Sequence, residues 1–205
     1  MKYNMTIGAA ALAVATIAVS TDTHALEYFA SPHVAVVDAT GEFQPNEAEL
    51  FNAWLNHLPF PLYLPDDPMR QHGVKLGAVV FNSPGGNVLG AMEWGTYADQ
   101  HRINTGVSAG GRCVSACVFA WAAGPLKSAA PDASIGIHRP YSTGVDGLTA
   151  ADGVLSNAAI RPLTVWLAQH GAPYTVARAF VDTPPADVHW LTPEELAEWN
   201  VKVTY

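Results

Sequence analysis

The chain has little cysteine and little charge. Two cysteines and 14% Asp, Glu, Lys and Arg occur in 205 residues. Two cysteines cannot build a disulfide scaffold, and they leave a zinc site short of ligands. Positive charge is scarcest, with Lys plus Arg at 10 against 18 Asp plus Glu and a net charge of −8. The arginines are scattered, which argues against nucleic acid and anionic lipid as partners. There is no P-loop, no Gly-x-Gly-x-x-Gly fingerprint, no internal repeat and no His/Asp/Glu cluster with metal spacing, so no cofactor is expected. Beyond residue 25 no apolar run is long enough to cross a bilayer.

What is present begins with an export signal. Lys2 gives a weakly basic start, Ile7 to Val19 is a short apolar run, and Thr23-His24-Ala25 offers small residues where a signal peptidase reads. Residues 1–25 are therefore expected to be a cleaved secretory signal, with no stable membrane insertion afterwards and a periplasmic or secreted product of bacterial type. Residues 26–205 have the length of one domain. Both cysteines, Cys113 and Cys117, lie in that domain. Four residues apart is awkward for a bridge within one helix and reasonable if Cys113 precedes the helix, so bridged and free states both stay open.

Strand and helix patterns alternate. Strands are expected over His33–Ala39, Lys75–Asn82, Ile103–Val107 and Ala133–His138, with a small one at the end. Helices are expected over Asn46–His57, Asn87–His101, Ser115–Gly124, Val154–Gln169 and Tyr174–Val181, and from Thr192, where Pro193 and Glu195 complete a capping box. Pro59–Pro68 reads as loop, Ser83-Pro84-Gly85-Gly86 as a turn, and Tyr141–Gly153 as a mobile polar stretch. The alternation predicts an α/β domain with a mainly parallel sheet and crossover helices.

Three segments carry candidate chemistry. Ser115 follows Gly110-Gly111 at the start of an apolar helix, where free N–H groups favour developing negative charge. It is either a nucleophile or a helix cap; it is not in the Gly-x-Ser-x-Gly elbow of α/β-hydrolases. His138 ends an apolar strand and is kept extended by Arg139-Pro140, as a general base or as a core histidine bonded to backbone. His189 is a weaker rival. Gly85 and Gly86 offer bare N–H groups for an oxyanion, or form an ordinary turn. Asp182 and Asp187 are the candidates to orient an imidazole, or to cap helix boundaries. Lys127 lies beyond the helix, so Ser–His is more natural than Ser–Lys.

In this order the segments resemble the Clp protease proteolytic subunit family, within the wider crotonase-like superfamily and closest to its small secreted members. Asn82-Ser83-Pro84-Gly85-Gly86 resembles the family's oxyanion loop, Gly111 to Gly124 its nucleophile segment, Ile137-His138-Arg139-Pro140 its base segment, and Trp190 to Glu195 its terminal segment. The resemblance covers most of residues 26–205. It implies a ClpP/crotonase-like fold and a serine peptidase with Ser115 as nucleophile and His138 as base. Gly85, Gly86 and Ala116 N–H groups would serve the oxyanion. The acid falls near Asp182 by order, with Asp187 open because the spacing differs. The substrate would be a peptide or a small acyl compound, and a homo-oligomer is implied. An ATP-driven unfoldase is not expected for an exported chain, and Ser142–Gly153 looks too short and polar for the family's ring-stacking element. A thioester or acyl hydrolase on the same scaffold would show an acyl pocket without an extended groove. A non-catalytic binding or assembly protein would bury Ser115 away from His138.

Overall fold

A computed structural model describes residues 25–31, 33, 35–67, 73–141 and 155–203. Residues 1–24 of the expected signal segment, the polar stretch after Tyr141 and the expected start of a helix at Val154 lie outside the described residues.

The central sheet grows from β-branched and aromatic runs that are covered on both faces. Strand β1 (Glu27–Ala30) pairs antiparallel with β2 (Val36–Phe43), which pairs in parallel with β5 (Ala78–Gly86). Along its first half β5 also pairs with β6 (Asn104–Val107), from Ala78↔Asn104 to Phe81↔Val107. Beyond Phe81 the same strand pairs instead with β7 (Arg112–Val114) through Ser83↔Cys113. Strand β9 (Ser134–Ile137) lies parallel to β7, and β10 (His189–Trp190) closes the far edge antiparallel. The sheet is seven-stranded, mostly parallel inside and antiparallel at both ends. Two small parallel pairs lie apart: β3 (Leu62–Tyr63) with β4 (Val74–Lys75), and β8 (Ser128–Ala129) with β11 (Lys202–Val203).

The helices are α1 (Glu47–His57), α2 (Val88–Gln100), α3 (Cys117–Ala122), α4 (Asn157–Gln169), α5 (Tyr174–Asp182) and α6 (Pro193–Glu198). Helices α1 and α2 supply Phe51, Trp54 and Trp94 to an aromatic cluster with Tyr28 and Phe81. Helix α3 is buried along its whole length, and Trp121 meets Trp199 edge-on at 5.2 Å. At α6 both halves of the capping box form, Thr192 Oγ1 accepting from Glu195 N–H and Glu195 Oε2 accepting from Thr192 N–H.

Several expectations need correction. Ser83-Pro84-Gly85-Gly86 is not a turn: the chain stays extended because Glu42 and Phe43 of β2 pair with Gly85 and Gly86, both at φ 118. The first expected strand is shifted, running through Gly41 with a register slip between Thr40 and Glu42. The expected helix from Ser115 starts only at Cys117, because Arg112–Val114 is drawn into the sheet as β7. Part of the Pro59–Pro68 loop forms β3.

One buried carboxyl makes the fold pH-sensitive. Glu47 is almost fully buried; its Oε1 accepts from the Tyr28 hydroxyl at 2.8 Å and its Oε2 from Gln44 N–H at 2.7 Å. Burial raises its pKa from 4.5 to about 7, against the two hydrogen bonds. Between those values the unfolded chain is ionised while the folded chain keeps its proton. Stability is therefore greatest below pH 4.5 for this group, falls as pH rises towards 7 and levels off above that. The contribution lost is about 3 kcal/mol at most. Thermal melts should show Glu47→Gln flattening this fall; an unchanged slope would remove Glu47 as its cause.

Candidate active site

Sheet register brings Ser115 and His138 to one place. Val114 of β7 pairs with Gly136 of β9, and the next step of that ladder is Ser115 N–H donating to Gly136 O at 2.9 Å. His138 follows β9 directly, so both side chains leave neighbouring parallel strands at the same end of the sheet, where open α/β sheets place their sites. Both are half-buried and both line a cleft of about 850 Å³. Glu42 and Gly86 line the same cleft, and its apolar wall comes from Val88 and Leu89 of α2, Leu155, and Ala158, Pro162 and Leu163 of α4.

Ser115 is the turning residue between β7 and α3. Its φ is 57, the left-handed region that non-glycine residues enter at a cost of about 1–3 kcal/mol. It does not cap α3: the N-cap position is Ala116, with no side-chain cap bond, and the Ser115 hydroxyl has no hydrogen-bond partner among the described residues. The hydroxyl is thus unspent, and Ser115 lines the cleft. Cys113 and Cys117 are bridged on either side of it. In the chain-entropy view a loop this short contributes only about 2 kcal/mol. That is the size of the strain at Ser115, so the bond matters locally more than globally.

His138 Nδ1 lies 2.9 Å from the carbonyl oxygen of Arg139. A carbonyl only accepts, so Nδ1 carries the proton and the Nε2 lone pair is left free, as a general base requires. Arg139 is itself tied down: its N–H donates to Thr183 O at 2.9 Å, and its Nη2 donates to Leu155 O at 2.8 Å and Asn157 Oδ1 at 3.0 Å. Sequence reasoning missed this anchor because a main-chain oxygen has no residue code.

Neither aspartate expected behind the imidazole is there. Asp182 Oδ2 accepts from Arg178 Nε one turn earlier on α5, on an exposed face. Asp187 is exposed, and only its backbone is engaged, donating to Pro184 O. The rival His189 is spent structurally, with its Nε2 3.0 Å from both carboxylate oxygens of Glu195. Lys127 Nζ donates to Gly124 O beyond the far end of α3.

The glycine pair divides. Gly85 N–H donates to the buried Ser83 hydroxyl at 3.1 Å, so it is not free for an oxyanion. Asn87 N–H donates to Phe43 O, and Gly86, between Gly85 and Asn87, lines the cleft. Ala116 N–H has no acceptor among the described residues. Gly85 packs hard on the turn: a Cβ there would lie 2.8 Å from Ser115 Cβ, 2.8 Å from Val114 O and 3.1 Å from Ala116 N. Among the described residues no group of His, Cys, Asp and Glu could hold a metal ion.

This architecture has a counterpart among solved structures. A serine-to-alanine mutant of the 1510-N membrane-bound stomatin-specific protease superposes with a TM-score of 0.53 over 80% of this chain and 77% of that one, at 20% identity. The fold is protease-like. At that identity the likeness concerns the fold alone. No family model matches the chain, and no curated protein matches it in sequence.

Proposed function

We propose that this chain is a serine peptidase of the Clp protease proteolytic subunit-like, crotonase-like kind, acting through a Ser115–His138 dyad. The observation that carries the reading is an uncapped serine hydroxyl, held at a left-handed strand-to-helix turn, in one cleft with a histidine whose Nε2 is free. His138 Nε2 takes the Ser115 proton as Oγ attacks a substrate carbonyl. Gly86 and Ala116 N–H groups receive the oxyanion. The proton passes to the leaving amine as the C–N bond breaks, and water, activated by the same histidine, releases the acyl group. The Arg139 carbonyl does the orienting that a carboxylate does in a triad.

An extended strand beside Ser115, ending in Gly85 and Gly86, supports a peptide over a compact acyl thioester. The chain is read as exported, on the strength of residues 1–25, and a Cys113–Cys117 bridge is in keeping with an oxidising compartment. A homo-oligomer working without an ATP-driven unfoldase goes with that reading. The test is turnover of unstructured polypeptides against acyl thioesters by the chain from residue 26. Peptide products are expected; hydrolysis of thioesters alone would move the reading to an acyl hydrolase. In the same assay Asp182→Asn combined with Asp187→Asn should keep kcat/KM within about threefold, since neither carboxylate meets His138; a loss on the order of 10⁴ would restore a carboxylate triad.

A further inference from the structure

The Cys113–Cys117 bond straddles the strained residue of the site. Cys113 sits in β7 opposite Ser83 and Ile135, Cys117 is the first residue of α3, and both are fully buried. Between them lie Ser115 at φ 57 and the unpartnered Ala116 N–H. We propose that this bond is a positioning element of the active site: by fixing the end of β7 to the start of α3 it holds Ser115 in its left-handed turn and aims the Ala116 N–H, so that catalysis depends on the oxidised pair. The proposal rests on the reading of Ser115 as nucleophile.

The turn has an alternative that the bond excludes. A serine just before a helix readily caps it, its hydroxyl accepting from an N–H of the first turn while its backbone adopts an extended conformation. Here α3 begins without any side-chain cap, and the serine stands one residue too early and in the wrong backbone region to provide one. With the sulfurs apart, nothing covalent opposes relaxation of Ser115 from the left-handed region to the capping one. A hydroxyl spent on capping is no longer aimed at a carbonyl. The remaining tethers, Ser115 N–H to Gly136 O and Val118 N–H to Ser115 O, fix the approach of the strand and the start of the helix. They leave open which way the hydroxyl and the Ala116 N–H face.

Because both cysteines are fully buried, exchange of the bond in the folded protein is slow, and it is set most readily as the chain folds. Closing it takes two protons and two electrons from the two thiols to a disulfide-bearing oxidant, which leaves as a dithiol. A chain folded in a reducing compartment would thus carry an unset nucleophile until it met such an oxidant.

The experiment uses the chain from residue 26 in oxidised form, after reduction with thiols confirmed by mass, and as Cys113→Ala combined with Cys117→Ala. Labelling by a fluorophosphonate probe is followed against probe concentration, well below the melting temperature of each form. Opening the bond should lower the maximal labelling rate about tenfold to a hundredfold, the range expected when a reacting group moves by about an ångström. The half-saturating probe concentration should stay nearly unchanged, and reoxidation should restore the rate in the wild type and not in the double variant. A bond that only stabilises the fold would lower the melting temperature and leave the rate alone, and that result overturns the proposal. Amide hydrogen exchange over 112–118 gives a readout that does not need Ser115 to be reactive. If the oxidised protein fails to label at all, the nucleophile reading fails. Faster exchange confined to that segment after reduction would then still uphold the turn-holding role, and unchanged exchange would refute it.

Discussion

Replacing Ser115 with alanine is expected to abolish covalent labelling by fluorophosphonates and to reduce peptide turnover by about 10⁶, or about 8 kcal/mol of barrier. Among the described residues no other serine or threonine lines the cleft. Ser83 is buried and bonded to the Gly85 backbone, while Ser128 and Thr105 are engaged with main-chain oxygens around α3. The fold should survive the change, because the Ser115 side chain makes no hydrogen bond among the described residues and alanine meets the same backbone cost at φ 57. An unchanged melting temperature with no adduct is the expected pair of results. Mass mapping of the adduct in the wild type to the peptide containing Ser115 completes the test. Labelling that persists in Ser115→Ala would sink the nucleophile assignment.

Gly85→Ala should also be strongly damaging, by a different route. The residue lies at φ 118, which L side chains rarely adopt, and its new Cβ would press on Ser115 Cβ and Val114 O at 2.8 Å each. Neither neighbour can yield freely: Val114 is in the sheet opposite Gly136, and Ser115 is tethered through its N–H. Relief must come from moving the Gly85-Gly86 segment or the nucleophile turn, and either displaces the oxyanion site. Loss of one oxyanion donor alone costs roughly 10² to 10³ in kcat. Backbone strain of about 1–3 kcal/mol should lower the melting temperature by several degrees as well. Gly110→Asn is the matched control: it too has positive φ, at 65, but a Cβ there meets nothing within 4 Å, and asparagine tolerates the left-handed region. Activity within about twofold for Gly110→Asn and a collapse for Gly85→Ala would show that contact with Ser115 is what matters. Near-normal kcat in Gly85→Ala would refute the placement of the oxyanion site.

Features encoded over a few residues were legible. The Thr192-Pro193-Glu194-Glu195 cap, the span of α1 and the course of α2 follow from local chemistry, and all appear close to where sequence places them. Features decided by distant partners were not. Pro84-Gly85-Gly86 carries every local mark of a turn, yet pairing with Glu42 and Phe43 keeps it extended. Arg112–Val114 shows no strand pattern of its own, and it becomes one where β9 offers it a partner. Ser115 and His138 could be singled out, because a glycine pair precedes the serine at an apolar helix start, the histidine closes an apolar strand, and their order matches the family they resemble. The group behind His138 could not. Chain order suggested an aspartate, Asp182 already had Arg178 four residues before it, and the partner found is a carbonyl that any residue at position 139 would carry.

Strand β5 offers a single edge to two successive partners, β6 as far as Phe81 and β7 at Ser83. Between them the chain loops out through Ser108–Gly111, closed by Gly111 N–H donating to Ser108 O at 2.9 Å, and rejoins the edge in the same direction. The two strands are competitors for the same row of hydrogen-bonding groups, and the nucleophile reaches its place only because β6 stops at Val107. Residues added to β6 would displace β7, carrying Ser115 away from His138 without touching either side chain. The reaction centre is thus guarded by the length of a strand that contributes no atom to it.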